Sequence, residues 1–431
     1  MAAPVFPHAA VASPHYLASS AGLAVLTSGG NAVDAAVATN LVLAVVYPHM
    51  CGLGGDLFAM VWQEGGPIGL NASGRLPAAA KLDGDRVPAH GPLSATVPGA
   101  VSGWLALLER FGSRPIDELA RPAVRLAREG APRAPGLVRI TAFFERLLER
   151  DEEAKRTFLG DGPLRQPELA ETIEDISRFY EGPVAENAPA PFAPSDFAEQ
   201  RAEWVAPLSG EFAGVEVLEM PPNSRGHLVL EALERLAPLD GLPPDGAEFH
   251  RRLMRSLEPA TAVAGDTIYL CARDEAGMSV SLSQSLAKPF GSGVVVPGTG
   301  VLLHNRAVYF TPETYLGGAR PVHTLAPAMA LRGGRPHLIF GTQGGLNQVA
   351  IHLQLLARLF VAGQELGEAI AAPRWVQAEN GLQQEEGLPD LGGSPLPVPD
   401  AAGHANAILV RDDGYLVAAA DPRSDGAALG Y

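Results

Sequence analysis

Apolar residues run through this chain in two rhythms. From Ala35 to Val46 they are nearly continuous, behind a Gly29-Gly30 turn and Asn31. Asn31 is a good N-cap, Asp34 suits the first turn of the helix, and Pro48 ends it, so the pattern predicts a helix buried all round. A shorter helix is predicted over Leu17–Leu26. Amphipathic spacing predicts helices over Val97–Phe111, Pro115–Glu129, Leu137–Leu148, Leu169–Phe179, Gly226–Leu236 and Ala247–Leu257, a mostly helical middle. Another helix, Leu346–Phe360, follows Gly341-Thr342-Gln343-Gly344-Gly345.

The second rhythm has a period of two. Thr267–Arg273 is rich in β-formers, Asp274–Gly277 is turn chemistry, and Met278, Val280 and Leu282 then alternate with Ser279, Ser281 and Ser283. That is a hairpin. Leu57–Trp62 and Val215–Met220 read as further strands. Ala328–Leu331 and His337–Phe340 flank Gly333-Gly334, and Ala405–Val410 and Tyr415–Ala419 flank Asp412-Asp413-Gly414, which predicts two more hairpins. Asn71–Pro77 and Phe192–Glu203 read as loops. Helices and strands mix without regular alternation, which argues for an α+β fold of packed antiparallel sheets with helices outside.

Charge narrows the partners. The 431 residues carry a net charge of −16 with only 32 Lys and Arg, so no nucleic acid or anionic membrane is expected. The two cysteines, Cys51 and Cys271, stand in no metal-ligand spacing, and neither a metal nor a cofactor is expected. The N-terminus lacks a basic region followed by an apolar run, and Ala35–Val46 is too short to span a bilayer. A soluble, cytoplasmic protein is the expectation.

Two glycine-rich turns border predicted buried elements. Cys51-Gly52-Leu53-Gly54-Gly55-Asp56 serves either close substrate approach or helix–sheet packing. Gly344-Gly345 before a helix aims backbone N–H groups where negative charge can be stabilised. Thr267 follows Gly265-Asp266, a pair suited to tight backbone. Taken alone, Thr267 reads as an ordinary strand threonine.

Several blocks together change that reading. Gly29-Gly30-Asn31-Ala32-Val33-Asp34-Ala35-Ala36, Pro48-His49-Met50 through Gly54-Gly55, Gly265-Asp266-Thr267 and Phe290-Gly291-Ser292-Gly293 come in order. Arg320-Pro321, Gly344-Gly345, Pro373-Arg374-Trp375 and Asp421-Pro422-Arg423 follow. In this order the chain resembles the γ-glutamyltransferase family of N-terminal-nucleophile hydrolases, nearest its short, unsecreted γ-glutamyltransferase-like subgroup. The resemblance implies an αββα sandwich, two stacked antiparallel sheets between helical layers. It implies self-cleavage between Asp266 and Thr267 into a large fragment, 1–266, and a small one, 267–431, which stay together as one intertwined body. Thr267 would be the nucleophile, its freed α-amine the base, Gly344 and Gly345 the oxyanion hole, and Ser285 a supporting hydroxyl. The substrate would be a γ-glutamyl amide such as glutathione, with water or an amine as acceptor.

The glutamyl pocket departs from the family pattern. Ala287 stands where an asparagine is usual. Asn305-Arg306-Ala307-Val308-Tyr309 replaces Asn-Gln-x-x-Asp, so Tyr309 takes the position of the acid that pairs the substrate ammonium. His323-Thr324 replaces a serine pair, and Arg75 is shifted from the position of the arginine that holds the carboxylate. Arg75 and Arg306 still suit a carboxylate. His323 is open to three roles: orienting the acyl group, orienting the nucleophile, or a structural one. An acylase for another acyl amide, such as a β-lactam side chain, and an unprocessed binding or scaffold relative remain alternatives.

Overall fold

The computed structural model describes residues 3–257, 266–378 and 380–431. Gly265, part of the Gly-Asp-Thr junction, lies outside them.

Two seven-stranded antiparallel sheets form the centre. The first runs Ala427–Gly430, Ala10–Ser13, Asp266–Arg273, Ser279–Ala287, Asp56–Gln63, Gly66–Ala72, Glu203–Val205. The second runs Val5–Phe6, Leu416–Ala419, Ala405–Val410, Arg335–Thr342, Ala328–Arg332, Val215–Glu219, Leu208–Phe212. Alternation assigns each strand two buried faces. Ile268, Leu270 and Ala272 join Leu57, Ala59 and Val61 under the helices Tyr16–Thr27, Ala32–Val46, Ala100–Phe111 and Ile116–Glu129. Tyr269 and Cys271 instead join Phe58 and Met60 against Met329, Ile339 and Ile408 of the second sheet. The outer face of the second sheet is covered by His227–Arg235, Ala247–Ser256, Gln348–Leu356 and Leu366–Ala371. The layers are therefore αββα.

The helix Ala32–Val46 is buried at every residue and carries the predicted cap: Asn31 Oδ1 accepts from Asp34 N–H, and Asp34 accepts from Asn31 N–H. Fully burying a valine or leucine contributes about 1.5–3 kcal/mol, so this helix is held by packing and not by propensity.

The serine stripe of the hairpin is the instructive case. In a one-sided sheet, alternation puts polar residues in water. Here Ser279, Ser281, Ser283 and Ser285 are fully buried because their face meets the second sheet. Ser281 Oγ donates to Phe340 O at 3.2 Å across the gap. The predicted loops differ in part. Asn71 and Ala72 end the strand Gly66–Ala72, and Pro194–Ala198 is a short helix. The Leu346–Phe360 helix divides into a 3-10 turn Gly345–Asn347, an α-helix Gln348–Leu356 and a π turn Ala357–Val361. Leu208–Phe212 and Ala10–Ser13 escaped prediction because Ser, Gly and Ala give them little β-character.

Candidate active site

Thr267 is the second residue of a central strand. Its neighbour strand slips register beside it: Asp266 pairs with Ala287, but Ile268 pairs with Gln284. Two steps along this strand oppose three along the partner, so the extra residue, a β-bulge of the kind that re-aims a side chain, lies in the partner strand at Ser285–Leu286. Thr267 is fully buried, and its Oγ accepts a long hydrogen bond of 3.4 Å from Gln348 Nε2. Gln348 opens its helix directly after the turn begun by Gly344 and Gly345, so the glycine pair lies within one helical turn of the contact. Gly344 has φ 143° and Gly345 φ 56°, both in the region that favours glycine. A Cβ on Gly344 would stand 2.8 Å from Ile351 Cδ1.

Next to this end of the strand, Ser285 Oγ accepts from Ala287 N–H at 2.7 Å and from Arg306 NH2 at 3.0 Å. The other arm of the guanidinium donates to Thr324 Oγ at 3.3 Å, and its plane lies 5.0 Å over the Tyr309 ring. Arg306 is fully buried, and among the described residues no carboxylate comes within ion-pair distance of it. Burial pulls its pKa down, opposed by Tyr309 and Asp56. A guanidinium still stays charged. Ala287, where the family pattern has asparagine, holds φ 76°, a conformation asparagine tolerates better than alanine.

Behind the guanidinium sits a carboxylate that sequence reasoning did not single out. Asp56 enters its strand on the face that Phe58 and Met60 share. Its Oδ1 accepts from Gly74 N–H at 3.0 Å and Gly99 N–H at 3.2 Å, and its Oδ2 accepts from His323 Nε2 at 3.0 Å. His304 Nδ1 lies 3.6 Å from the same oxygen, and His304 Nε2 meets Thr96 O at 2.8 Å. Burial alone would raise the Asp56 carboxyl. His304, His323 and Arg306 outweigh it and hold the group below its ordinary value. Burial, then Arg306, brings His323 down to about 3. The pair is thus an ionised carboxylate and a neutral imidazole.

The structure brings Thr267, Ser285, Arg306, Tyr309, His323 and Thr324 into one buried cluster. It does not bring Arg75 there. That side chain is exposed, donates to Gly318 O at 3.2 Å and lies 3.8 Å from Glu203, which Arg320 grips with two bonds of 2.8 Å. Asp56, His304 and Gln348 are the additions. An acid directly after Gly54-Gly55 at the head of an apolar strand was the available signal for Asp56. Gln348 carries no comparable signal, because only the fold brings its helix to Thr267. The late sequence blocks meet each other instead: Arg374 NH2 donates to Asp421 at 2.7 Å, and Arg423 ties Asp421 to Glu385. Cys51 and Cys271 are free and buried, and burial pushes both thiols up. Among the described residues no helix is long and apolar enough to cross a membrane.

A family profile described as Gamma-glutamyltranspeptidase matches residues 18–258 and 242–431. The glutathione hydrolase-like YwrD proenzyme of Bacillus subtilis (strain 168) is 34% identical, with 97% of this chain and 98% of the relative covered. The oxamate amidohydrolase proenzyme of Klebsiella pneumoniae is 32% identical, with 98% of each covered. Among solved structures, cephalosporin acylase from Bacillus halodurans superposes with a TM-score of 0.92 at 28% identity, covering 100% of this chain and 97% of that one.

Proposed function

The chain belongs to the gamma-glutamyltranspeptidase family, and on that premise we propose that it is a self-processing amide hydrolase and acyltransferase working through a Thr267 acyl-enzyme. The observation that carries this reading is the buried Thr267 beside a bulge in its partner strand, with its Oγ in contact with Gln348 one turn from Gly344-Gly345. In maturation, Thr267 Oγ attacks the Asp266 carbonyl carbon. The C–N bond breaks as an ester forms, and water then hydrolyses the ester. That frees the Asp266 carboxylate and an α-amine on Thr267. An α-amine has an ordinary pKa of about 7.7–8.0, so it can take the hydroxyl proton near neutral pH. In turnover Oγ bonds to the acyl carbon, the proton passes through the amine to the leaving nitrogen, and water or an amine acceptor resolves the ester. Gly344 and Gly345 N–H groups stabilise the oxyanion; losing one such donor commonly costs about 2.7–4 kcal/mol.

The leading substrate class is a γ-glutamyl amide such as glutathione, in keeping with the glutathione hydrolase-like relative. Arg306 supports an acyl half that carries a carboxylate, since among the described residues no carboxylate lies within ion-pair distance of this buried guanidinium. A specific observation also favours a second reading, an acyl group without an ammonium. Asp56 is an acid of this cluster, and both its oxygens are already engaged. The oxamate amidohydrolase and acylase relatives fit that alternative.

Denaturing electrophoresis of purified protein should show fragments 1–266 and 267–431. Thr267→Ala should abolish the cut and the turnover, and Thr267→Ser should keep part of each. A single intact band that does not change on incubation contradicts the proposal. Release from γ-glutamyl anilide compared with glutaryl anilide decides between the substrate readings, because the two acyl groups differ only in the amine.

A further inference from the structure

We propose that Gln348 is a further residue of the reaction, a fixed hydrogen-bond donor to the attacking oxygen of Thr267. The inference rests on Thr267 being the nucleophile and gives the Gln348 contact a chemical role.

The direction of the bond follows from its other end. Gln348 is buried, and its Oε1 accepts the backbone N–H of Ala326 at 3.3 Å. A backbone N–H can only donate, so the oxygen of the amide must face it and the NH2 must face Thr267. Toward Gln348, Thr267 Oγ can therefore act only as acceptor. Its own proton is left to point elsewhere, which after cleavage includes the α-amine of the same residue. During attack, negative charge grows on Oγ until the new C–O bond takes it up. A donor already aimed at Oγ stabilises that charge and needs no rearrangement to do so. Gln348 keeps its proton throughout; the hydroxyl proton goes to the amine and then to the leaving nitrogen.

The donor is fixed from behind. One turn further along the same helix face, His352 Nδ1 bonds Glu219 Oε1 at 2.8 Å, and this fully buried pair ties the helix to the second sheet. Ala326 lies three residues after His323, whose Nδ1 accepts from Leu325 N–H at 3.4 Å while Nε2 is held by Asp56. Both ends of the Gln348 amide are thus referenced to the two sheets. The Thr267 contact, at 3.4 Å, is long, as such bonds often are without substrate.

The test compares Gln348→Ala and Gln348→Glu with the natural protein, reading self-cleavage rate and turnover per cleaved molecule. Gln348→Ala should lower kcat about 10- to 100-fold, less than loss of an oxyanion donor, with KM little changed. Gln348→Glu keeps the shape but, when ionised, can only accept at both ends. Protonated, its carboxyl again accepts from Ala326 and donates to Thr267. Burial at this position lifts a carboxyl above its ordinary pKa of about 4.3, so its rate relative to the natural protein should climb as pH falls from about 8 to about 5, whereas the Gln348→Ala ratio stays flat. Gln348→Glu with an unchanged kcat at alkaline pH, or with a flat ratio, overturns the proposal. Thr267→Ala separates the two layers: if it still turns over substrate, the nucleophile reading fails, whatever Gln348 does.

Discussion

Asp56 and His323 meet at 3.0 Å with neither side chain exposed, and the imidazole is clamped from both nitrogens, one giving to the carboxylate and one taking from Leu325 N–H. Asp56→Asn tests the clamp. The amide would keep one acceptor for the Gly74 and Gly99 N–H groups, but would turn its NH2 toward His323. A neutral imidazole cannot accept at both nitrogens. One buried group must go unpaired, and a loss of about 3 kcal/mol of stability is expected, read as an earlier denaturation midpoint. A variant as stable as the natural protein would show that the clamp is not taut.

Three histidines share this acceptor pattern and set an acid limit. His15 Nδ1 accepts from Leu17 N–H, His250 Nδ1 from Trp375 Nε1–H, and His323 Nδ1 from Leu325 N–H. Burial lowers His15 and His250 to about 4 and His323 to about 3. Each folded-state pKa lies below its unfolded value, so each contributes stability that is present above about pH 6.5 and lost as pH falls toward the folded value. Denaturant midpoints should hold steady above neutrality and fall steeply between about pH 6 and pH 4. A flat profile across that window would refute neutral burial of all three.

Arg306 should act as a selector. Arg306→Lys keeps a charge, but one ammonium cannot reproduce the fork that spans Ser285 and Thr324. Both Arg306→Lys and Arg306→Met should cut kcat/KM about 10- to 100-fold for acyl groups bearing a carboxylate, and much less for acyl groups without one. An equal loss on both kinds of substrate would make Arg306 a structural group.

Asp421 carries the C-terminal network. Asp421→Ala leaves Arg374 buried without its partner. That change should cost about 3–5 kcal/mol and shift the thermal midpoint down without altering substrate preference. A shift in preference would bring these blocks into the active site.

Much of this was legible in the sequence, and the gaps have physical causes. The Ala32–Val46 helix, with its Asn31 cap, and the hairpin from Thr267 follow from local patterns that tertiary contacts reinforce. Ser285, Arg306, Tyr309, His323 and Thr324 follow from the resemblance, and the fold places them near one another. Arg75 suits a carboxylate by its charge and its neighbourhood along the chain, yet the backbone at Gly74 turns toward Asp56 while the side chain turns out to Glu203. Asp56 was masked by its setting in a glycine turn that packing alone could explain. Gln348 lies 81 positions from Thr267, so its role exists only once the two sheets stack.

The strand order has a last consequence. Chain from either side of residue 266 alternates within both sheets, with strand pairings across that divide at three places in the first and two in the second. Opening the Asp266–Thr267 bond would leave the folded body as it is and change what it can do after unfolding. An intact chain finds its sheet partners within one molecule. Cut halves must find each other, at a rate that depends on concentration and with bare sheet edges exposed meanwhile. Folding therefore has to precede cutting. The mature form would persist by the height of its unfolding barrier and not by ready return, a kinetic stability fixed at the moment the bond is lost.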